Sequence, residues 1–168
     1  MADPYKTVAI LVHSPALAEI LRSELATSPR LRVRTFEAPA ALDIYLRIAP
    51  IDLLIADFDN PEAPADRLLR QLRADPNLDC PEFRVLALTG RVTPQLRQAS
   101  RAAGIDEIIV KPMSPRYVLE RTVAWLARPR AVPLPQRRPA APPRPAIDFS
   151  QYSNVVPLFG PDRPLPQH

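Results

Sequence analysis

Residues 52–61 read DLLIADFDNP, an apolar run that stops at two acidic residues and an Asn-Pro pair. A short, continuous apolar run bounded by turn residues is typical of a strand that is buried on both faces. Strands of that kind occur in parallel sheets covered by helices. The stretch therefore predicts a central strand over residues 52–56, with Asp57 at its carboxyl end.

Four other segments have the character of strands, and each of the five strands is followed by a helical segment. The predicted strands are residues 7–12, 31–36, 83–88 and 107–110. The helices are predicted to begin at Pro15, Pro39, Ala65, Pro94 and Pro115. Three of these starts are preceded by Ser14, Thr93 and Ser114, which are favoured N-cap residues, and a proline suits the first helical position. Gly104 marks the end of the fourth helix.

Apolar residues on the helices define the faces that we expect to pack on the sheet. The first helix contributes Leu17, Ile20, Leu21 and Leu25. The second contributes Leu42, Tyr45, Leu46 and Ile48. On the fifth helix the expected core positions include Tyr117 and Trp125.

The alternation of strands and helices predicts an α/β fold: a doubly wound, five-stranded parallel sheet with five helices. In such sheets the functional site lies at the carboxyl ends of the strands. The residues at those ends are His13 and Ser14, Asp57 and Asp59, Thr89, and Lys111. A carboxylate, a hydroxyl and an ammonium group that converge in this way could form and hold an acyl phosphate.

Three segments in this order resemble bacterial response-regulator receiver domains, which have a flavodoxin-like fold. They are 52–61, Thr89-Gly90 at the end of VLALTG, and 104–112, which runs from glycine to Lys111-Pro112. The resemblance covers about residues 6–127. It implies that Asp57 is the phosphoacceptor, Thr89 the switch hydroxyl and Lys111 the phosphate-binding lysine. It also implies a histidine kinase or phosphotransfer protein as partner, and a downstream protein bound by the fourth helix, fifth strand and fifth helix or by the tail.

The sequence departs from the receiver pattern where two acidic residues normally hold Mg²⁺ with the phosphoacceptor. Here that pair is Val12-His13 or His13-Ser14, and neither contains a carboxylate. Mg²⁺ prefers oxygen ligands, which leaves Asp57 and Asp59 as a weak metal site. We therefore expect weak Mg²⁺ binding and slow or absent phosphotransfer. Ile108 also replaces the aromatic residue that receivers commonly carry in the fifth strand.

Two of the remaining polar residues near the site admit more than one interpretation. His13 is either a pH-sensitive or phosphate-facing group, or a polar residue that fills the place of a lost acid. Asp59 is expected to act through its backbone carbonyl more than its carboxylate, and two neighbouring carboxylates should raise each other's pKa.

The chain divides at about residue 127 into a receiver-like domain, 1–127, and a Pro/Arg-rich tail, 128–168, that is expected to be disordered. The tail holds eleven of the 23 prolines, six of the 22 Lys/Arg residues and two of the 18 Asp/Glu residues. The domain is therefore neutral, which argues against nucleic acid as its main partner. Residues 147–159, IDFSQYSNVVPLF, are either an ordinary part of the tail or a docking segment.

A single cysteine, Cys80, and the absence of a signal sequence or a membrane-length apolar run favour a cytoplasmic protein. The function predicted from the sequence is a single-domain response regulator in a phosphorelay that accepts a phosphoryl group on Asp57 despite a weakened metal site. The alternative is a degenerate pseudo-receiver that binds proteins without phosphorylation. Neither is an enzyme in its own right, and with three glycines in the chain a glycine-rich nucleotide loop is not supported.

Overall fold

The computed structural model describes residues 5–78 and 82–129. The predictions about Cys80, about the docking segment 147–159 and about the tail beyond residue 129 lie outside the described residues. The strands are β1 (Lys6–Leu11), β2 (Leu31–Thr35), β3 (Leu53–Asp57), β4 (Arg84–Thr89) and β5 (Glu107–Val110). The helices are α1 (Pro15–Leu25), α2 (Pro39–Leu46), α3 (Ala65–Ala74), α4 (Pro94–Ala103) and α5 (Pro115–Ala127).

The five strands form one parallel sheet in the order β2-β1-β3-β4-β5. β1 lies near the middle of the sheet and β2 forms one edge. β3, β4 and β5 then extend the sheet from β1 to the other edge, so the connecting helices cover both faces. This is the doubly wound α/β fold that the sequence predicted. Among the described residues, no helix is both long enough and apolar enough to cross a membrane.

The central strand β3 is buried along its whole length and contributes side chains to two separate cores. Leu54 and Ala56 pack with residues of α2 and α3, whereas Leu53 and Ile55 pack on the other face with residues of α1 and α5. Successive side chains of a strand point to opposite faces, so an unbroken apolar run supplies both cores at once. Asp57 ends this strand and is itself buried.

Three helices begin with the predicted side-chain caps. The hydroxyls of Ser14, Thr93 and Ser114 accept hydrogen bonds from the backbone N–H three residues further along. Gly104 adopts a left-handed conformation with φ 75° at the end of α4, as the sequence predicted. The peptide between Lys111 and Pro112 is cis.

Several of the apolar positions that were expected in the core lie at the surface. Ile20, Tyr117 and Ile48 are 51%, 44% and 79% exposed. Helix α2 ends at Leu46, so Ile48 falls beyond it. The contact between a helix and the sheet is narrower than the apolar stripe, which leaves the flanking positions in solvent. Trp125, by contrast, is partly buried against the core as expected.

Candidate functional site

The site lies where β3, β4 and β5 end. Asp57 is the last residue of β3, Thr89 is the last residue of β4, and Lys111 follows β5 directly. The strands are neighbours in the sheet, and the register pairs Asp57 with Leu88 and Thr89 with Val110. Because they also run parallel, residues that are 54 positions apart in sequence meet at one edge.

Lys111 lies against the carboxylate of Asp57. Its Nζ is 3.1 Å from Oδ1 and 3.2 Å from Oδ2, so the ammonium group contacts both oxygens. The Asp57 side chain is only 3% exposed, while that of Lys111 is 26% exposed. The backbone N–H of Asp59 donates a further hydrogen bond to Asp57 Oδ1 at 2.9 Å. These donors compensate the burial of the charged carboxylate.

Asp59 also belongs to the site, and it does so through its carboxylate. Its Oδ2 lies 2.7 Å from Lys111 Nζ and accepts a 2.7 Å hydrogen bond from the Gly90 backbone N–H. The other oxygen, Oδ1, accepts from Thr89 Oγ1 at 3.2 Å. The sequence-based expectation that the carbonyl of Asp59 matters more than its carboxylate is therefore wrong, because three donors from two other strand ends converge on the side chain.

The hydroxyl of Thr89 has more acceptors than protons. It donates to Asp59 Oδ1 or to the carbonyl of Arg91 at 3.0 Å, and it accepts from the Arg91 N–H. A hydroxyl carries one proton, so these two donations compete. Lys111 and the Gly90 N–H are thus the stronger ligands of the Asp59 carboxylate.

The pKa values of Asp59 and Lys111 follow from this pairing. Partial burial would raise the pKa of Asp59, but hydrogen bonds from Lys111 and Gly90 outweigh it and lower the pKa. Burial would likewise lower the pKa of Lys111, but the two carboxylates raise it. The expectation that neighbouring carboxylates raise the pKa is therefore wrong for Asp59, because a shared cation and a backbone donor stabilise its charge.

The side of Asp57 that faces β1 carries no acid. The register pairs Leu11 with Ala56, so Val12 follows at the level of Asp57, and Val12 is apolar and buried. Among the described residues, no group of three or more His, Cys, Asp or Glu side chains is placed to hold a metal ion. Asp57 and Asp59 are the carboxylates at hand, and both are paired with Lys111. The residues present therefore offer Mg²⁺ only two carboxylates that already share Lys111, and the weak metal site at Asp57 and Asp59 stays a prediction.

His13 is exposed and forms none of the hydrogen bonds described above for Asp57, Asp59 and Lys111. It borders a cavity of about 320 Å³ between β1, α1 and the end of β2, together with Glu19, Thr35 and Glu37. The strand ends therefore bring Asp57, Asp59, Thr89 and Lys111 together, and His13 takes no part in the hydrogen bonds that join these four residues. Ile108 is half-buried in β5.

Sequence reasoning did not identify two contributors to the site. The first is the backbone N–H of Gly90, which has no side-chain signal. The second is Asn60, whose buried side chain accepts hydrogen bonds from the N–H groups of Glu62 and Ala63 and so shapes the loop after β3. Asn followed by Pro is a turn signal, and it could have indicated this role.

Comparisons with known proteins agree with the fold. No family model matches the sequence. The phosphate regulon transcriptional regulatory protein PhoB of Rhizobium meliloti is 30% identical over 121 residues, which are 72% of this chain and 52% of that protein. The chain thus spans about half the length of this curated relative.

Solved structures show the same fold. A response regulator from Thermotoga maritima aligns with a TM-score of 0.64 at 24% identity, covering 74% of this chain and 99% of that one. The chemotaxis protein CheY4 of Vibrio cholerae aligns with a TM-score of 0.64 at 19% identity, covering 71% and 98%. The resemblance to receiver domains that the motifs indicated is confirmed.

Proposed function

We propose that this chain, which has the fold of response-regulator receiver domains, acts in two-component signal transduction as an interaction module that does not depend on phosphorylation of Asp57. The observation that carries this proposal is the apolar side chain of Val12, which lies where an acidic residue would be needed beside Asp57. The phosphorylation-independent function is therefore favoured over the phosphoacceptor function.

The chemistry of phosphoryl transfer explains why that position matters. An incoming phosphoryl group is negatively charged, and its approach to a carboxylate requires cations to offset the repulsion. Here the approaching group would meet the carboxylates of Asp57 and Asp59, which already share the ammonium group of Lys111. Val12 and the exposed His13 supply no oxygen ligand through which a divalent cation could add to that charge.

The surface next to the site offers apolar groups to a protein partner. Val110, at the end of β5, and Tyr117 and Val123, on α5, are 48%, 44% and 45% exposed. Such side chains would favour protein contacts where they form a contiguous apolar patch. We propose that a downstream partner binds the surface of α4, β5 and α5, and that a histidine kinase or phosphotransfer protein is the upstream partner.

One observation supports a second candidate, a slow phosphoacceptor. Lys111 contacts both oxygens of Asp57, so the carboxylate and its cation are in place. In that reaction an Asp57 oxygen would attack the phosphorus of a phosphohistidine. The N–P bond would break, and the leaving imidazole nitrogen would keep the electron pair and take a proton from water.

Intact-mass measurement of the full chain, incubated with acetyl phosphate and Mg²⁺, separates the two candidates. We expect no stable phosphoryl adduct on the wild-type protein. A triple substitution, Val12→Asp and His13→Asp with Asp59→Asn, supplies the missing acids and neutralises the second carboxylate that shares Lys111. It serves as a positive control, in which an adduct should form and disappear on adding Asp57→Asn. A stoichiometric adduct on the wild type that is lost in Asp57→Asn would establish the phosphoacceptor instead.

A further inference from the structure

We infer that Asp59 is an internal substitute for a phosphoryl group: its carboxylate occupies the donors of this site and closes it to external oxyanions. The inference rests on the proposed function and deepens it, since it identifies the residue that makes phosphorylation unnecessary. It is carried by the contacts of Asp59, whereas the proposed function is carried by the environment of Val12.

The donors around Asp59 form a three-point anion site. Lys111 Nζ and the Gly90 N–H are both 2.7 Å from Oδ2, and Thr89 Oγ1 is 3.2 Å from Oδ1. An ammonium group, a backbone N–H and a hydroxyl that converge on one anion are the usual means of holding an oxyanion. Both oxygens of Asp59 face these donors: Lys111 and the Gly90 N–H bind Oδ2, and Oδ1 competes with the carbonyl of Arg91 for the Thr89 proton.

The loop after β3 holds the carboxylate in that position. The backbone N–H of Asp59 donates to Asp57 Oδ1 at 2.9 Å, which fixes Asp59 directly beside the acceptor carboxylate. The side chain of Asn60 stabilises the next turn by accepting hydrogen bonds from the N–H groups of Glu62 and Ala63. Asp59 therefore reaches these donors from a position directly beside Asp57.

The balance of charge determines what the site accepts. Two carboxylates against one ammonium group leave the cluster of Asp57, Asp59 and Lys111 with one net negative charge. Phosphate would be repelled by that charge and would find the donors taken. Without the Asp59 carboxylate, Asp57 and Lys111 balance one another. The Gly90 N–H then needs a new acceptor, and the Thr89 hydroxyl can donate either to that acceptor or to the carbonyl of Arg91. Since the Asp59 side chain is 44% exposed, the vacated space would open to solvent.

The same contacts bear on signalling. Lys111 and Thr89 are already bound to an anion, and they link the ends of β4 and β5 to the loop after β3. Phosphorylation normally orders a site by adding charge-assisted hydrogen bonds of this kind. In this chain Asp59 provides them permanently, so the ends of these strands are held in the anion-bound arrangement without phosphate.

Titration of the full chain with inorganic phosphate, followed by the amide resonance of Gly90, tests the inference. In Asp59→Ala we expect a saturable shift of that resonance in the millimolar range, and the additional substitution Lys111→Ala should abolish it. The wild type should bind at least tenfold more weakly. Glu62→Ala removes an exposed carboxylate from the same loop and should behave as the wild type. Equal phosphate binding by wild type and Asp59→Ala would overturn the inference.

A second variant controls for the possibility that Asp59→Ala fails to fold. Asp59→Asn keeps the shape of the side chain and removes its charge, so it should bind phosphate more tightly than the wild type if the inference holds; equal binding would contradict it. The result is separable from the proposed function. A phosphoryl adduct on the wild type would refute the proposed function, whereas the phosphate titration decides the role of Asp59 alone.

Discussion

The Nζ of Lys111 lies 2.7 Å from Asp59 Oδ2, closer than either oxygen of Asp57, which are 3.1 Å and 3.2 Å away. One ammonium group is thus shared by the carboxylate of Asp57, which is almost fully buried, and that of Asp59, which is 44% exposed. The exposed carboxylate can be hydrated, but the buried one depends on the protein for its compensation.

Lys111→Met should therefore destabilise the protein, by about 1–3 kcal/mol, because Asp57 would remain buried with one backbone donor. Adding Asp57→Asn to this variant should recover part of the loss, since the group left in the site is then neutral. Urea denaturation of the wild type, both single variants and the double variant measures the coupling. Additive losses would show that Lys111 and Asp57 do not interact.

Mg²⁺ should leave the stability of the wild type nearly unchanged. A dissociation constant of about 10 mM would raise the free energy of unfolding by about 0.4 kcal/mol at 10 mM Mg²⁺. We expect a smaller effect, because neither Val12 nor His13 supplies a carboxylate beside Asp57. Thermal denaturation in MgCl₂ and in NaCl of equal ionic strength provides the comparison. A clear upward shift that is specific for Mg²⁺ would show that a metal site exists.

Glu107 should stabilise the fold in a pH-dependent manner. Its burial would raise its pKa, but hydrogen bonds from Arg121 and Trp125 dominate and lower the pKa below the usual value of 4.5. A lowered folded-state pKa means that the stabilisation is fully present above pH 4.5 and is lost as the pH falls through the folded-state value.

Glu107→Gln should accordingly cost about 1 kcal/mol near neutral pH. The difference from the wild type should shrink in acid below pH 4.5. Urea denaturation across this pH range, followed by the fluorescence of Trp125, measures the difference in stability between the two proteins at neutral pH and in acid. A difference that stays constant into acid would contradict the assignment.

Thr122 carries a buried hydroxyl that has no hydrogen-bond partner among the described residues, and its side chain is fully buried. Thr122→Val keeps the shape and removes the unpaired polar group, so it should leave stability unchanged or raise it by up to about 1 kcal/mol. Thr122→Ser keeps the hydroxyl and loses a methyl group, so it should destabilise. A marked loss of stability in Thr122→Val would mean that the hydroxyl has a partner.

Gly104→Ala should destabilise the end of α4. At φ 75° a side chain is strained, and the added Cβ would lie 2.1 Å from Arg73 Nη1. Arg73 would have to move, giving up its hydrogen bonds to the carbonyls of Ala103 and Gly104. We expect a cost of about 1–2 kcal/mol from backbone strain and further loss from the displaced arginine. In an Arg73→Ala background the same substitution should cost less, and an equal cost would exclude the clash.

Much of the fold could be predicted from the sequence because its signals are local. An apolar run without polar interruption predicts a strand buried on both faces, and Ser or Thr before Pro marks the start of a helix. Exposure of individual helix positions could not be predicted in this way. Ile20 and Tyr117 have the correct spacing for the core, but the width of the contact between helix and sheet decides whether a flanking residue is covered.

The amino-acid sequence by itself determined the alternation of five strands and five helices, and it placed Asp57, Thr89 and Lys111 at strand ends. Only the tertiary structure decided which donors pair with each carboxylate at that edge. The partners of Asp59 come from the last residue of β4 and from the residues that directly follow β4 and β5. One of them is a backbone N–H, and no local sequence pattern predicts such contacts. Whether its carboxylate points to solvent or to Lys111 depends on parallel strands that bring residues more than 30 positions apart into contact.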